Sequence, residues 1–267
     1  MTGPDRDKPG RNGGETTRAA AARTSVGKES LKAPLAKRFY STSAAVPIEG
    51  GHAVMLDGHG VKTPAKNPLI VPTGAVASSI AAEWAAQGTY IEPATMPLTR
   101  LANTVLDAVA PSRDAVAADI VAFAGTDALC YRAEGPLELA ARQAACWDPI
   151  LAWAEGTLGA RLAVTRGILH VTQPAEALAA ISRNVGALDP WQLAPLHVMT
   201  TLTGSALLAL AVARGACTAE EAWAAAHVDD DWQIEHWGAD EEAASRGANR
   251  WVEMAAAARF LDLVRQE

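Results

Sequence analysis

After Lys66 the chain contains no lysine, and every later base is arginine. Cysteine is nearly as scarce. The three residues Cys130, Cys146 and Cys217 are far apart and form no C-x-x-C pair. That scatter argues against a disulfide framework and a zinc site, and for a reducing compartment. The phosphate loop G-x-x-x-x-G-K, the G-x-S-x-G elbow and the zinc helix H-E-x-x-H are all missing. Gly58-His59-Gly60 lacks the third glycine of a dinucleotide fingerprint and enters a strand, so it is a turn. The pair of Glu-x-x-His motifs that a di-iron bundle needs on two helices is missing. No apolar core of a secretory signal is present.

Net positive charge is confined to one end. Residues 1–44 carry nine Lys or Arg against four Asp or Glu, a net +5 within a total of −7, which leaves −12 for the rest. An acidic body excludes nucleic acid as the expected partner, because that binding is dominated by cationic contacts to phosphate. The 267 residues suffice for one large domain or two ordinary ones with a real core. Eight tryptophans against three phenylalanines is unusual, and tryptophan is favoured where a large, partly wet surface must grip something.

Residues 1–36, rich in Gly, Pro, Arg, Ala, Thr and Ser, read as a disordered basic tail. From Lys37 the composition changes. Ala53–Leu56, Asp57-Gly58 and Val61–Thr63 read as a β-hairpin, with Asp-Gly supplying the positive φ of a tight turn. Leu69–Val71 is a third strand. Thr73 caps a helix carrying Val76, Ile80 and Trp84, and a second helix from Pro97 buries Leu98, Leu101 and Val105. Helix then dominates, with Asp148-Pro149 as a kink inside 136–158. Residues 160–172 alternate and are expected to form an isolated strand or hairpin, or to return to the N-terminal sheet. Asp189-Pro190-x-Gln192 opens a helix without charge up to Arg214. It is expected to be one buried helix; a membrane span over 190–213 is the weaker reading, since His197 and several threonines interrupt it. The expected fold is α+β: a small mixed sheet with helices over 37–110, then a mainly helical part over 111–267.

The stretch from Ala226 to Ala244 gathers seven carboxylates around Trp232 and Trp237 with no Lys or Arg. Read as one helix, it places Trp223, His227, Asp230, Ile234, Trp237 and Glu241 on one face, with Val228 and Trp232 opposite. Carboxylates inside an apolar stripe either pair with arginines of the fold or are presented to something outside it. A metal site would draw on His227, Asp230, Asp231, Glu235 and His236, and a carboxylate- or metal-dependent hydrolase built on 227–242 is the alternative function. No nucleophile or cofactor motif accompanies these acids, so the chain is expected to be no enzyme and to need no cofactor or metal.

Lys37-Arg38-Phe39-Tyr40, Leu56-Asp57-Gly58, Lys62-Thr63-Pro64, Ala82-Glu83-Trp84, Thr95–Leu101, Trp147–Ile150, Trp232-Gln233-Ile234 and Trp237-Gly238 together resemble the assembly chaperones of the ATP synthase catalytic sector, in the class that attends the α subunit. The resemblance covers about residues 37–265. It implies a chaperone that binds the unassembled α subunit and releases it as the β subunit takes its place. It also implies a functionally critical acid at Asp229, or at the adjacent Asp230, and a sensitive tryptophan at Trp84. With the aromatic and acidic residues of the stretch, the candidate partner-binding set is Trp84, Asp229, Asp230, Trp232, Trp237 and Asp240. A monomer in the bacterial cytoplasm, or in the mitochondrial matrix of a eukaryote, is expected.

Overall fold

The computed structural model describes residues 34–238 and 240–266. The tail expected over residues 1–36 therefore falls almost wholly outside the described residues. Strand β1 (Ser43–Ile48) pairs antiparallel along the whole of β2 (Gly51–Leu56). The other edge of β2 is shared by two short strands, β3 (His59–Gly60) and β4 (Ile70–Val71). Asp57 and Gly58 both take positive φ, 48° and 81°, as the Asp-Gly turn requires. Sequence reasoning missed β1, which contains Pro47. A proline is tolerated there because β1 is an edge strand with an unpaired side.

Helix α1 (Gly74–Ala85) lies across this sheet, capped by Thr73, whose hydroxyl accepts from the Val76 N–H at 3.2 Å. Helix α2 (Pro97–Thr104) follows, then α3 (Arg113–Gly125). Strand β5 (Tyr131–Arg132) leads into α4 (Leu137–Trp153), which holds Pro149 and loosens into a π turn over Ala154–Leu158. Strand β6 (Thr165–Arg166) pairs in parallel with β5 in a separate two-stranded sheet. Residues 160–172 thus do not return to the N-terminal sheet. The partner they find is the strand immediately before α4, joined through one helical crossover.

Helices α5 (Ala175–Gly186) and α6 (Pro190–Thr203) complete the middle of the chain, and the Asp189–Gln192 capping box is formed at the start of α6. The uncharged stretch is not one helix. Gly204 takes φ 67° and ends α6, and Ser205 starts α7 (Ala206–Ala213) by accepting from the Leu208 N–H at 3.0 Å. Helix α7 is apolar on every side and buried on almost every side, as such a helix must be. Among the described residues no helix is long and apolar enough to cross a membrane. Helices α8 (Ala219–Ala226), α9 (Val228–Trp237) and α10 (Glu241–Arg265) close the fold, and α10 packs along α6. The architecture is α+β, as expected from the hydrophobic patterning.

A continuous apolar core runs from Val54 and Ile80 through Leu101, Ile120, Trp147 and Met199 to Phe260. Among the described residues one carboxyl group is sealed into it. Asp127 is fully buried and accepts from the Leu129 N–H at 3.1 Å and the Leu207 N–H at 3.0 Å, tying β5's approach to the start of α7.

Candidate functional site

The acidic stretch is three elements, not one helix. Helix α8 ends at His227, whose ring Nδ1 lies 2.8 Å from the Trp223 carbonyl, and α9 begins at Val228. Gly238, at φ 88°, then turns the chain out of α9. A single helical wheel across 223–241 therefore fails. Val228 is the residue that seats α9 in the core, and the rest of the helix faces outward or is half-buried.

Two side chains of α4 fix α9 from below. Arg142 donates through both terminal nitrogens to Glu235, at 2.7 and 2.8 Å. That hydrogen bonding holds the Glu235 carboxyl below its usual range. Gln143, buried, accepts the Ala133 N–H at 2.8 Å and donates to Asp229 at 2.7 Å. A third tie joins α4 to the end of α8: the Trp147 indole N–H donates to the Ala225 carbonyl at 2.7 Å. The amide of Gln143 bridges the backbone before α4 to the first turn of α9. Neither Arg142 nor Gln143 was singled out for the site from sequence, because nothing local pairs them with residues some ninety positions onward.

Above this support sits the exposed surface. Asp229, Asp230 and Asp231 occupy the first turn of α9, where the helix dipole favours negative charge. Trp232, half-buried, stacks on His236 with ring centroids 4.2 Å apart. Ile234 is 47% exposed and Trp237 78% exposed. Asp240 caps α10 by accepting the Glu242 N–H at 3.0 Å, so its carboxylate has a local task. Five of the six candidate residues are thus gathered in 229–240. Among the described residues no group of three or more His, Cys, Asp or Glu is placed to hold a metal ion.

Trp84 belongs to a different cluster. Its ring meets Tyr40 edge-on at 5.6 Å, and its carbonyl accepts the Tyr40 hydroxyl at 2.7 Å. The Arg38 guanidinium lies 4.7 Å from the Tyr40 ring and donates to the Ala85 and Gln87 carbonyls at the end of α1. Its neighbour Glu83 turns the other way. The carboxylate accepts from the Leu98 N–H at 2.7 Å, the Thr99 N–H at 2.8 Å and the Thr99 hydroxyl at 2.6 Å, so α1 caps α2. Burial pushes the Glu83 carboxyl up, and those hydrogen bonds oppose the shift. The Glu-Trp pair therefore holds two joints of the fold.

Solved structures that share this architecture are chaperones. The crystal structure of Atp12 from Paracoccus denitrificans superposes with a TM-score of 0.83 at 44% identity, covering 86% of this chain and 99% of that one. An Asp→Lys mutant of the same protein gives 0.83 at 43% identity, covering 86% and 98%. The fission yeast Schizosaccharomyces pombe protein atp12, mitochondrial, is 26% identical over 225 residues, 80% of this chain and 77% of its own length. Residues 37–155 match the family model described as ATP12 chaperone protein. The chain belongs to the ATP12 chaperone family, which serves ATP synthase assembly.

Proposed function

We propose that this chain binds the unassembled ATP synthase α subunit, keeps it from aggregating, and releases it when the β subunit takes over the covered surface. The observation that carries this reading is the outer face of α9, where Trp237 and Ile234 stand in solvent beside Asp229 and Asp230. A subunit awaiting its neighbours exposes apolar patches that aggregate. A helix that offers aromatic area ringed by carboxylates covers such a patch and sets its orientation by charge. In this reading Trp232, Trp237, Asp229 and Asp230 meet the client, Asp240 holds the α9–α10 corner, and Trp84 keeps the segment before β1 on α1. The protein works as a monomer in the cytoplasm of a bacterial cell and performs no chemistry of its own.

The testing experiment is co-purification from cells that express the tagged chain with either catalytic-sector subunit alone. The α subunit should be retained and the β subunit should not. Equal retention of both, or of neither, overturns the proposal.

A further inference from the structure

On the face of α4 away from α9 lies a cleft of about 300 Å³, lined by Arg132, Ala140, Ala144, Asp148, Val164, Thr165 and Arg166. Two observations mark it as an unfinished site. The first is Arg132, which is 8% exposed and lies over the Trp147 ring, 4.9 Å from its centroid. Its Nη2 donates to Asp148 at 2.6 Å, but Nε and Nη1 are buried with no acceptor in the protein. Buried donors without partners are costly, so such groups normally meet a protein acceptor, a water or a ligand.

The second observation is the register of the small sheet. Arg132 of β5 stands directly opposite Arg166 of β6. In a parallel pair, opposed residues project to the same face, and like charges so placed repel. Arg166 is exposed and makes no ion pair among the described residues. The cleft therefore holds two guanidinium groups against the single carboxylate of Asp148, on a body that is otherwise strongly acidic. An anion between the arginines relieves both the missing acceptor and the repulsion, directly or through one bridging water.

The surroundings choose among anions. Val164, Ile168 and Leu169, in the segment that carries Arg166, are 47%, 98% and 79% exposed. On α4, Leu137 is exposed and precedes Ala140 and Ala144 on the helix face that walls the cleft. A free phosphate has no use for apolar neighbours; an acidic side chain within an apolar segment of polypeptide does. The geometry points to a second client-binding site, in which the Arg132–Arg166 cleft takes an Asp or Glu carboxylate while the flanking apolar residues cover the side chains beside it. The occupant's identity as client rests on the chaperone reading; the carboxylate site does not.

Full-length chain labelled with nitrogen-15 carries two probes, the Arg132 Nε–H and the Trp147 indole N–H. It is titrated with acetyl-Leu-Glu-Leu-Val-amide, with the same peptide bearing Gln for Glu, and with inorganic phosphate. The Glu peptide should give saturable shifts at both probes, with the Gln peptide weaker by about ten-fold or more, the size expected for losing a charged hydrogen bond. Arg166→Ala should weaken the Glu peptide about as much and leave the melting temperature in place. Equal response to both peptides, response to phosphate alone, an unaffected Arg166→Ala variant, or no saturable shift overturns the site. Capture of the α subunit by the unaltered chain is measured alongside. Capture without a peptide response removes the cleft and leaves the chaperone reading; a peptide response without capture does the reverse.

Discussion

Replacing Gln143 with Met, a side chain of similar length without polar atoms, removes the bridge between α4 and α9. The Ala133 N–H then loses its 2.8 Å acceptor, and Asp229 loses its 2.7 Å donor. A fully buried N–H left without a partner costs about 1–3 kcal/mol, and the half-buried Ala133 N–H sits at the low end of that range, while a hydrogen bond to a charged group contributes about 1.5–3. Asp229 is exposed, so water replaces part of what it loses. A net loss of about 2 kcal/mol follows from those ranges, or a drop of about 4–8 °C in melting temperature for a domain of this size. Asp229→Ala should cost about 1 kcal/mol or less, since only one side of the bridge goes. The two changes touch the same hydrogen bond, so the double variant should lose less than the sum, by at least about 0.5 kcal/mol. Urea unfolding of the four proteins measures the cycle. Strict additivity would refute the bridge. The cycle also divides the roles of Asp229: if the acid only fixes α9, Gln143→Met and Asp229→Ala weaken binding of the α subunit equally. A larger effect from Asp229→Ala means that the carboxylate meets the client.

Trp237→Ala should leave unfolding within about 0.5 kcal/mol, the usual range for an exposed side chain, yet weaken capture of the α subunit about ten-fold or more, as loss of an aromatic anchor does; calorimetry and a binding titration separate the two. Glu83→Ala strips the start of α2 of its carboxylate and should lower stability by about 2 kcal/mol, the upper end for a lost helix cap. Below its melting temperature the variant should still bind the α subunit, and loss of binding by folded protein would give Glu83 a direct role. Burial pushes the Asp127 carboxyl up to about 6 from an ordinary 3.8. The folded protein then holds this proton more tightly than the unfolded chain, so the group's contribution is full below the lower value and lost as pH rises through the upper one. The change is about 3 kcal/mol. Asp127→Asn should flatten that part of the urea-midpoint profile between pH 4 and 6.5, at the expense of one backbone hydrogen bond; an unchanged slope would contradict the assignment.

Much of the fold was legible because it is written in local chemistry. The Asp57-Gly58 turn, the Thr73 cap and the capping box at Asp189 each need only residues within one turn of one another, and each is formed. The breaks at Gly204 and His227 were passed over because apolar and acidic composition continues across them, although Gly204-Ser205 is a stop followed by a start. Strand β1 escaped because Pro47 disguises an edge strand. The partner of β6 is a long-range choice that no periodicity records. At the site, composition pointed to the α9 acids and tryptophans. The residues beneath them, Arg142 and Gln143, and the unfinished Arg132–Arg166 pair emerge only when distant segments meet.

The proposed role, holding an α subunit that has no neighbours, can be watched by light scattering of unfolded α subunit diluted into buffer with an equimolar amount of the chain. Scattering should be suppressed, a soluble pair of the two polypeptides should form, and added β subunit should displace the chain. Unchanged aggregation of the α subunit, or a pair that β does not dissociate, would contradict it.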